Sequence, residues 1–153
     1  MREATPADHG SIDRLLRDAF GGPGEATLVL RLRAESDMET EAVAEEGGGI
    51  VAYAALFRMW APVGWLGLGP VAVAPARQRA GLGTGLLVPL VRRAVDAGRT
   101  IVVLGAVPFY ERVGFSQARA VRLDTPYPPE HTLLAGPGAD APAERLVYPE
   151  AFG

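Results

Sequence analysis

The fold of this chain is decided by the stretch Val71-Ala72-Val73-Ala74-Pro75-Ala76-Arg77-Gln78-Arg79-Ala80-Gly81-Leu82-Gly83-Thr84-Gly85. It begins as an apolar run that is typical of a β-strand, and a proline ends that run. Glycines then open a segment, residues 81–97, in which leucine and valine recur at helical spacing. The stretch therefore predicts a strand, a loop and a long helix in succession. We call residues 75–84 the glycine-rich loop.

The glycine-rich loop is suited to bind an anion. Glycines let a ligand approach the backbone, and the start of a helix offers unpaired N–H groups and about half a positive charge. Simple turn chemistry would also explain glycines before a helix. Two other phosphate motifs do not fit, because a P-loop requires a Lys that the chain lacks and a dinucleotide-binding motif requires a glycine three residues after Gly83. We predict that the loop binds a phosphate or pyrophosphate.

The chain before this stretch predicts two helices and a hairpin. Thr5 is placed to cap a first helix, whose apolar face ends at Phe20 before a glycine-rich break. A second helix is predicted over residues 25–35. Strands over residues 41–45 and 50–57, joined by a glycine turn, are predicted to pair as an antiparallel hairpin.

The long helix is predicted to connect two strands of the sheet. These strands cover residues 65–74 and 100–104, and the second is apolar enough to be covered on both faces. Strand, helix and strand in that order predict a right-handed parallel crossover. Pro89 lies inside the helix and is expected to bend its axis.

The remaining segments complete the predicted fold. A short helix is predicted over residues 108–113, followed by a strand from Phe115 and a last strand near residues 145–148 in a proline-rich region. We therefore predict one α/β (α+β) domain over residues 1–153. Its mixed sheet has about six or seven strands, an antiparallel N-terminal part, a central parallel crossover and about four flanking helices.

Composition limits the function. The chain of 153 residues is 48% hydrophobic and 22% charged, which indicates one globular core. It contains no Cys, which excludes disulfides, zinc–thiolate sites and thiol nucleophiles. Its two His are isolated in the sequence, so no metal site is predicted.

Charge and the N-terminal residues bear on partners and location. The formal net charge is -3, and the 15 basic residues, all Arg, are scattered along the chain, which argues against a nucleic-acid partner. The N-terminus has no apolar segment that resembles a signal peptide or a membrane span. We expect a cytoplasmic protein that binds neither nucleic acid nor a membrane.

Two motifs resemble those of a known family. Gln78-Arg79-Ala80-Gly81-Leu82-Gly83 is similar to the Gln/Arg-x-x-Gly-x-Gly/Ala motif of the GNAT superfamily of N-acetyltransferases, in which this loop holds the pyrophosphate of coenzyme A. Pro108-Phe109-Tyr110-Glu111-Arg112-Val113-Gly114-Phe115 resembles the superfamily's Tyr-x-x-x-Gly-Phe segment. The order and spacing of the motifs match, and the close resemblance covers roughly residues 66–115.

The resemblance implies acetyl-CoA as the donor of an acetyl group. Main-chain groups of the glycine-rich loop would hold the pyrophosphate, and the strand before it would meet the pantetheine arm and stabilise the oxyanion. The residues so implied in cofactor binding are Val71, Val73, Gln78, Arg79, Ala80, Gly81, Gly83 and Thr84.

The resemblance also assigns a general acid, although it leaves the base open. Tyr110 would protonate the leaving thiolate; its alternative role is a packed Tyr whose hydroxyl serves stability. Many members place a Glu on the strand before the loop, but residues 66–73 here contain no ionisable side chain.

The acceptor is not identified by the sequence. Glu25 and Trp60 are weak candidates for binding it, and Phe109, Tyr127 and Tyr148 are further aromatic candidates for a pocket wall. We expect a small-molecule or peptide amine, and a homodimer through the proline-rich C-terminal region is a plausible arrangement. A domain that binds acyl-CoA without catalysis is the main alternative, and an unrelated nucleotide-binding α/β domain is a third.

Overall fold

A six-stranded sheet forms the centre of the protein, whose computed structural model describes residues 1–153. The strands follow one another across the sheet in chain order: β1 (Arg2–Glu3), β2 (Met38–Glu46), β3 (Gly49–Arg58), β4 (Leu66–Val73), β5 (Ile101–Leu104) and β6 (Thr132–Ala135). Four α-helices accompany them: α1 (His9–Phe20), α2 (Gly24–Ala34), α3 (Leu82–Asp96) and α4 (Val107–Arg112). None of the helices is long and apolar enough to span a membrane.

The N-terminal part of the sheet is antiparallel, as predicted. β1 pairs with β2, β2 with β3 and β3 with β4 in this sense. The hairpin between β2 and β3 turns at Gly47 and Gly48, whose φ angles are 57° and 80°. Two positive φ angles in a two-residue loop give the strands the twist that a hairpin requires, and glycine adopts them without steric cost.

The parallel centre is confirmed as well. β4 and β5 run parallel, and α3 forms the connection between them. The α3 helix continues through Pro89 from its first residue to its last. The predicted fold class and the central crossover are therefore correct.

The C-terminal part differs from the prediction. No strand begins at Phe115; Ser116 makes an isolated bridge to Leu134, and a 3₁₀ turn follows at Ala118–Ala120. The predicted strand near residues 145–148 is reduced to isolated bridges at Arg145 and Val147. The strand that pairs with β5 is instead β6, which the sequence analysis did not predict.

Helices cover both faces of the sheet. Alternate residues of a strand point to opposite faces, so neighbours in β2 and β3 belong to different clusters. Ala54 packs in the cluster that contains Leu86 and Leu87 of α3, whereas Tyr53 packs in the cluster that contains Ile12 and Leu16 of α1. Two apolar layers therefore hold the sheet between α3 on one side and α1 with α2 on the other.

Tyr53 makes a polar contact in the layer between the sheet and helices α1 and α2. Its side chain is fully buried, and its hydroxyl donates a 2.7 Å hydrogen bond to Oε1 of Glu41 in β2. Arg33 of α2 binds the same oxygen at 2.7 Å. Burial alone would raise the pKa of Glu41, but the hydrogen bonds from Arg33 and Tyr53 lower it below its ordinary value. The network fixes α2 to the sheet.

Phe57 packs directly onto the backbone of Gly67, its neighbour in β4. A Cβ atom at position 67 would lie 2.1 Å from Cζ of Phe57, which no real structure tolerates. The Phe57 ring also contacts Phe152, with 4.7 Å between ring centroids. A Cβ at position 67 would therefore require the Phe57 ring to shift relative to Phe152.

We predict that Gly67→Ala destabilises the protein by about 1 to 3 kcal/mol, the usual cost of overpacking a core. The free energy of unfolding from denaturant titration measures this change. Gly10→Ala is the matched control, because a Cβ in that turn of α1 meets no atom within 4 Å; it should leave stability equal or higher by up to about 1 kcal/mol. Equal stability of the two variants would contradict the proposed packing.

Candidate active site

The sheet opens between β4 and β5. Their parallel pairing covers Leu66 to Leu68 of β4 and stops there, although β4 continues to Val73. One edge of the second half of β4 therefore faces a gap and has no partner strand.

The backbone of Val71 and Val73 points into this gap. The Ala74 N–H donates to the Val51 carbonyl at 2.8 Å, which makes this a hydrogen-bonded pair in the antiparallel ladder. Pairs alternate along such a ladder, so Val73 opposite Ala52 and Val71 opposite Ala54 turn their N–H and C=O groups away from β3. The main-chain groups of both residues that the sequence analysis assigned to the cofactor thus face the gap rather than β3.

The glycine-rich loop presents a run of free N–H groups next to the end of β4. The backbone N–H groups from Arg79 to Thr84 donate to no backbone carbonyl, and the first such bond of α3 is donated by Gly85. Arg79 and Gly81 have φ angles of 65° and 81°, and this left-handed conformation turns successive amides toward one side. The loop is exposed to solvent, so its amides are open to a ligand.

Gln78 connects the loop to the strand. Its side-chain amide donates a hydrogen bond of 3.3 Å to the carbonyl of Val73. The side chain of Gln78 therefore orients the loop, and any contribution to anion binding comes from the backbone groups that follow it.

Both sequence motifs meet beside Gly83. A Cβ atom there would lie 3.7 Å from Cγ2 of Val73 and 3.7 Å from Cζ of Phe109. The first turn of α3, the end of β4 and the helix α4 thus approach one another at a single point. Tyr110, next to Phe109, consequently lies close to the gap.

Tyr110 is held by packing. A Cβ at Gly105 would lie 2.4 Å from Cε2 of Tyr110, so only glycine allows the ring to occupy this place. Phe109 and Phe115 contact the ring edge to face, at centroid distances of 5.0 and 5.8 Å. Burial raises the pKa of Tyr110, and no neighbouring charge or hydrogen bond contributes to the shift. The hydroxyl therefore keeps its proton at neutral pH.

A cavity of 340 Å³ lies at the gap and extends toward α2. Its wall contains Val71 from β4, Leu104 from β5 and Tyr110 from α4. Glu25 from the first turn of α2 is the single charged residue of the lining. The complete lining consists of Phe20, Glu25, Leu28, Phe57, Leu68, Gly69, Pro70, Val71, Val102, Leu104, Tyr110, Tyr127, Tyr148 and Phe152.

The structure places five of the residues that the sequence singled out in this cavity, whereas Phe109, a further candidate for its wall, is not in the lining. Glu25, Val71 and Tyr110 share the cavity, and Tyr127 and Tyr148 form part of its wall. Trp60 is not part of the lining: its indole N–H donates to Asp37 at 3.1 Å beyond the end of β3.

The sequence did not identify three of the aromatic residues that line the cavity. Phe20, Phe57 and Phe152 lie in segments far apart in the chain, and no local motif marks them. The prolines after residue 125 indicated an irregular region, but they did not indicate that this region folds back over β3. Only the tertiary structure shows this wall.

The fold and the site define a class of protein: one in which free amides at a helix N-terminus, an unpaired strand edge and a tyrosine side chain lie close together. Residues 10–115 match the model of the acetyltransferase (GNAT) family. The chain belongs to this family. The sequence-based identification of a GNAT acetyltransferase is therefore confirmed, and with it the class of acyltransferases whose members use acetyl-CoA.

Solved structures agree with this assignment. A GNAT family N-acetyltransferase (YhbS) from Escherichia coli, in complex with CoA, is 26% identical, with a TM-score of 0.86 over 99% of this chain and 89% of that one. A GNAT family acetyltransferase from Brucella melitensis, in complex with acetyl-CoA, is 30% identical, with a TM-score of 0.84 over 99% of this chain and 96% of that one. No curated protein matches the sequence.

The packing of Tyr110 yields a spectroscopic prediction. The alkaline difference absorbance of wild type minus Tyr110→Phe should show a phenolate midpoint above about 10, the ordinary tyrosine pKa. Circular dichroism over the same pH range controls for unfolding. A midpoint at or below the ordinary value in folded protein would show that the ring is not buried as described.

Proposed function

We propose that this protein is an N-acetyltransferase that transfers an acetyl group from acetyl-CoA to a primary amine by direct attack, with Tyr110 as the general acid. The observation that carries the proposal is the unpaired edge of β4, which runs from the glycine-rich loop to the cavity that holds Tyr110. The free amides at one end of this edge suit a pyrophosphate, and the apolar cavity at the other end suits an acyl group.

The residues present fit acetyl-CoA in two respects. The N–H groups of Arg79, Ala80, Gly81, Gly83 and Thr84 are available for a pyrophosphate. The N–H and C=O groups of Val71 and the N–H of Val73 are available for the amide groups of a pantetheine arm, whereas the Val73 carbonyl accepts a hydrogen bond from Gln78. Acetyl-CoA, when bound, supplies an acetyl thioester whose sulfur becomes the leaving group.

Tyr110 supplies the proton that this leaving group requires. As the amine nitrogen bonds to the acetyl carbon, the carbon–sulfur bond breaks and the Tyr110 hydroxyl gives its proton to the sulfur. The nitrogen releases a proton to water, and solvent restores the proton of Tyr110. The N–H of Val71 or Val73 is placed to donate a hydrogen bond to the oxygen on which negative charge develops.

The acceptor nitrogen must be uncharged when it attacks the acetyl carbon, yet β4 carries no base. Its residues, Leu66–Val73, include no ionisable side chain. A primary amine with a pKa of about 10 is mostly protonated at neutral pH, so water at the open mouth of the cavity takes its first proton.

A cytoplasmic location and a homodimer remain predictions.

The glycine-rich loop is tested by adding charge at one position. Gly83→Glu should weaken acetyl-CoA binding at least about tenfold more than Gly83→Gln, because only the former repels a pyrophosphate. Isothermal titration calorimetry on both folded variants and the wild type measures this difference. Equal affinities of the two variants, or no binding by the wild type, would contradict the proposal.

The acid role is tested at Tyr110. Tyr110→Phe should lower kcat about 10²- to 10⁴-fold while acetyl-CoA affinity stays nearly constant, because the packed ring remains and only the hydroxyl is lost. Thiol release measures the rate and calorimetry measures the binding. Retained kcat would exclude Tyr110 as the acid. A wild type that binds acetyl-CoA but releases no thiol with any amine would favour the non-catalytic alternative.

A further inference from the structure

The acceptor end of the cavity combines a single carboxylate with an aromatic wall. Glu25 is its one charged residue, is half-buried, and takes part in none of the protein's ion pairs. An unpaired carboxylate that faces an apolar cavity is stabilised when a cation joins it there. The cavity therefore favours a ligand with one positive charge.

The aromatic wall is continuous. Phe57 contacts Phe152 at 4.7 Å between centroids, Phe152 contacts Tyr148 at 5.3 Å, and Tyr148 contacts Tyr127 edge to face at 4.8 Å. Burial raises the pKa of Tyr148 to about 12, so its hydroxyl keeps its proton at neutral pH. We call these four residues the aromatic wall.

The size of the cavity limits the acceptor. Its 340 Å³ corresponds to about ten water-sized groups, and an acetyl group must share this space. A ring with a short side chain fits, and the lining offers no second carboxylate to a further ammonium group.

Two exposed apolar side chains also line this cavity. Phe20 is 45% exposed and Leu104 is 41% exposed, and both line the cavity. An apolar ligand body would remove part of this surface from water, at roughly 25 cal/mol for each Å².

We propose that the acceptor is a primary amine with a single positive charge and an apolar, ring-sized body: the Glu25 carboxylate binds the ammonium group, and the aromatic wall binds the ring. This inference rests on the proposed acetyltransferase function. Glu25 gains a direct role as the specificity-determining residue for the acceptor.

Direct binding tests the inference separately from catalysis. Calorimetry in the presence of saturating coenzyme A should show binding of 2-phenylethylamine to the wild type, and binding of 2-phenylethanol weaker by about tenfold or more, because the alcohol lacks the ammonium group. Glu25→Gln should remove this preference. Glu144→Gln is the matched control, since Glu144 is exposed, lies outside the cavity lining and loses the same charge; it should keep the preference.

Kinetics supply the second readout. With acetyl-CoA as donor, Glu25→Gln should raise the KM for 2-phenylethylamine about tenfold or more with a smaller change in kcat, and Glu25→Asp should recover part of the loss. The wild type should acetylate 2-phenylethylamine with a higher kcat/KM than spermidine or a lysine peptide.

The outcomes separate the two proposals. A protein that binds no coenzyme A contradicts the proposed function, and the binding of 2-phenylethylamine, measured then without coenzyme A, still decides the inference. A protein that binds coenzyme A but prefers spermidine or the peptide overturns the inference, as does an amine preference that survives in Glu25→Gln. Absence of 2-phenylethylamine binding overturns it as well.

Discussion

The site depends on where the pairing between β4 and β5 ends. After Leu68, β4 contains a β-bulge. Ala54 and Leu56 of β3 are separated by one residue, but their partners Val71 and Leu68 in β4 are separated by two. Such a bulge changes which residues turn their backbone groups to a given edge. Without it, Pro70 would occupy the position that faces the gap, and proline has no N–H to offer. The bulge puts Val71 and Val73 there instead, with donors and acceptors intact.

The features predicted correctly are those with a local cause. Glycines before an apolar helical repeat specify the loop and α3 through backbone conformation and helix periodicity, whatever the rest of the chain does. The same holds for the hairpin at Gly47 and Gly48 and for the short helix that carries Tyr110. The positions of Tyr110 and Val71 in the cavity follow from the sequence, because both residues lie within a few residues of these local signals.

The features that were missed have non-local causes. β6 contains four residues between a proline-rich turn and Gly136, too short a run for its periodicity to be decisive. It forms a strand because β5 is already in place to pair with it, from Ile101 opposite Ala135 to Leu104 opposite Thr132. Phe115 is apolar and follows a glycine, which resembles the start of a strand, but its neighbours turn away after a single bridge at Ser116. Tertiary contacts, not propensity, decided both segments.

The aromatic wall shows how a member of this family can acquire its own acceptor specificity. Residues 10–115 match the family model and contain the loop, the strand edge and Tyr110, whereas Tyr127, Tyr148 and Phe152 lie beyond that range and form the far side of the cavity. Two of these rings, Tyr148 and Phe152, contact Phe57, whose ring lies on Gly67 in β4. Because one set of contacts both supports the core and shapes the cavity, a change of acceptor specificity here also alters the packing of β3 on β4. We infer that specificity and stability are coupled in this part of the molecule, whereas the charge of Glu25, which takes part in no ion pair, can change without breaking one.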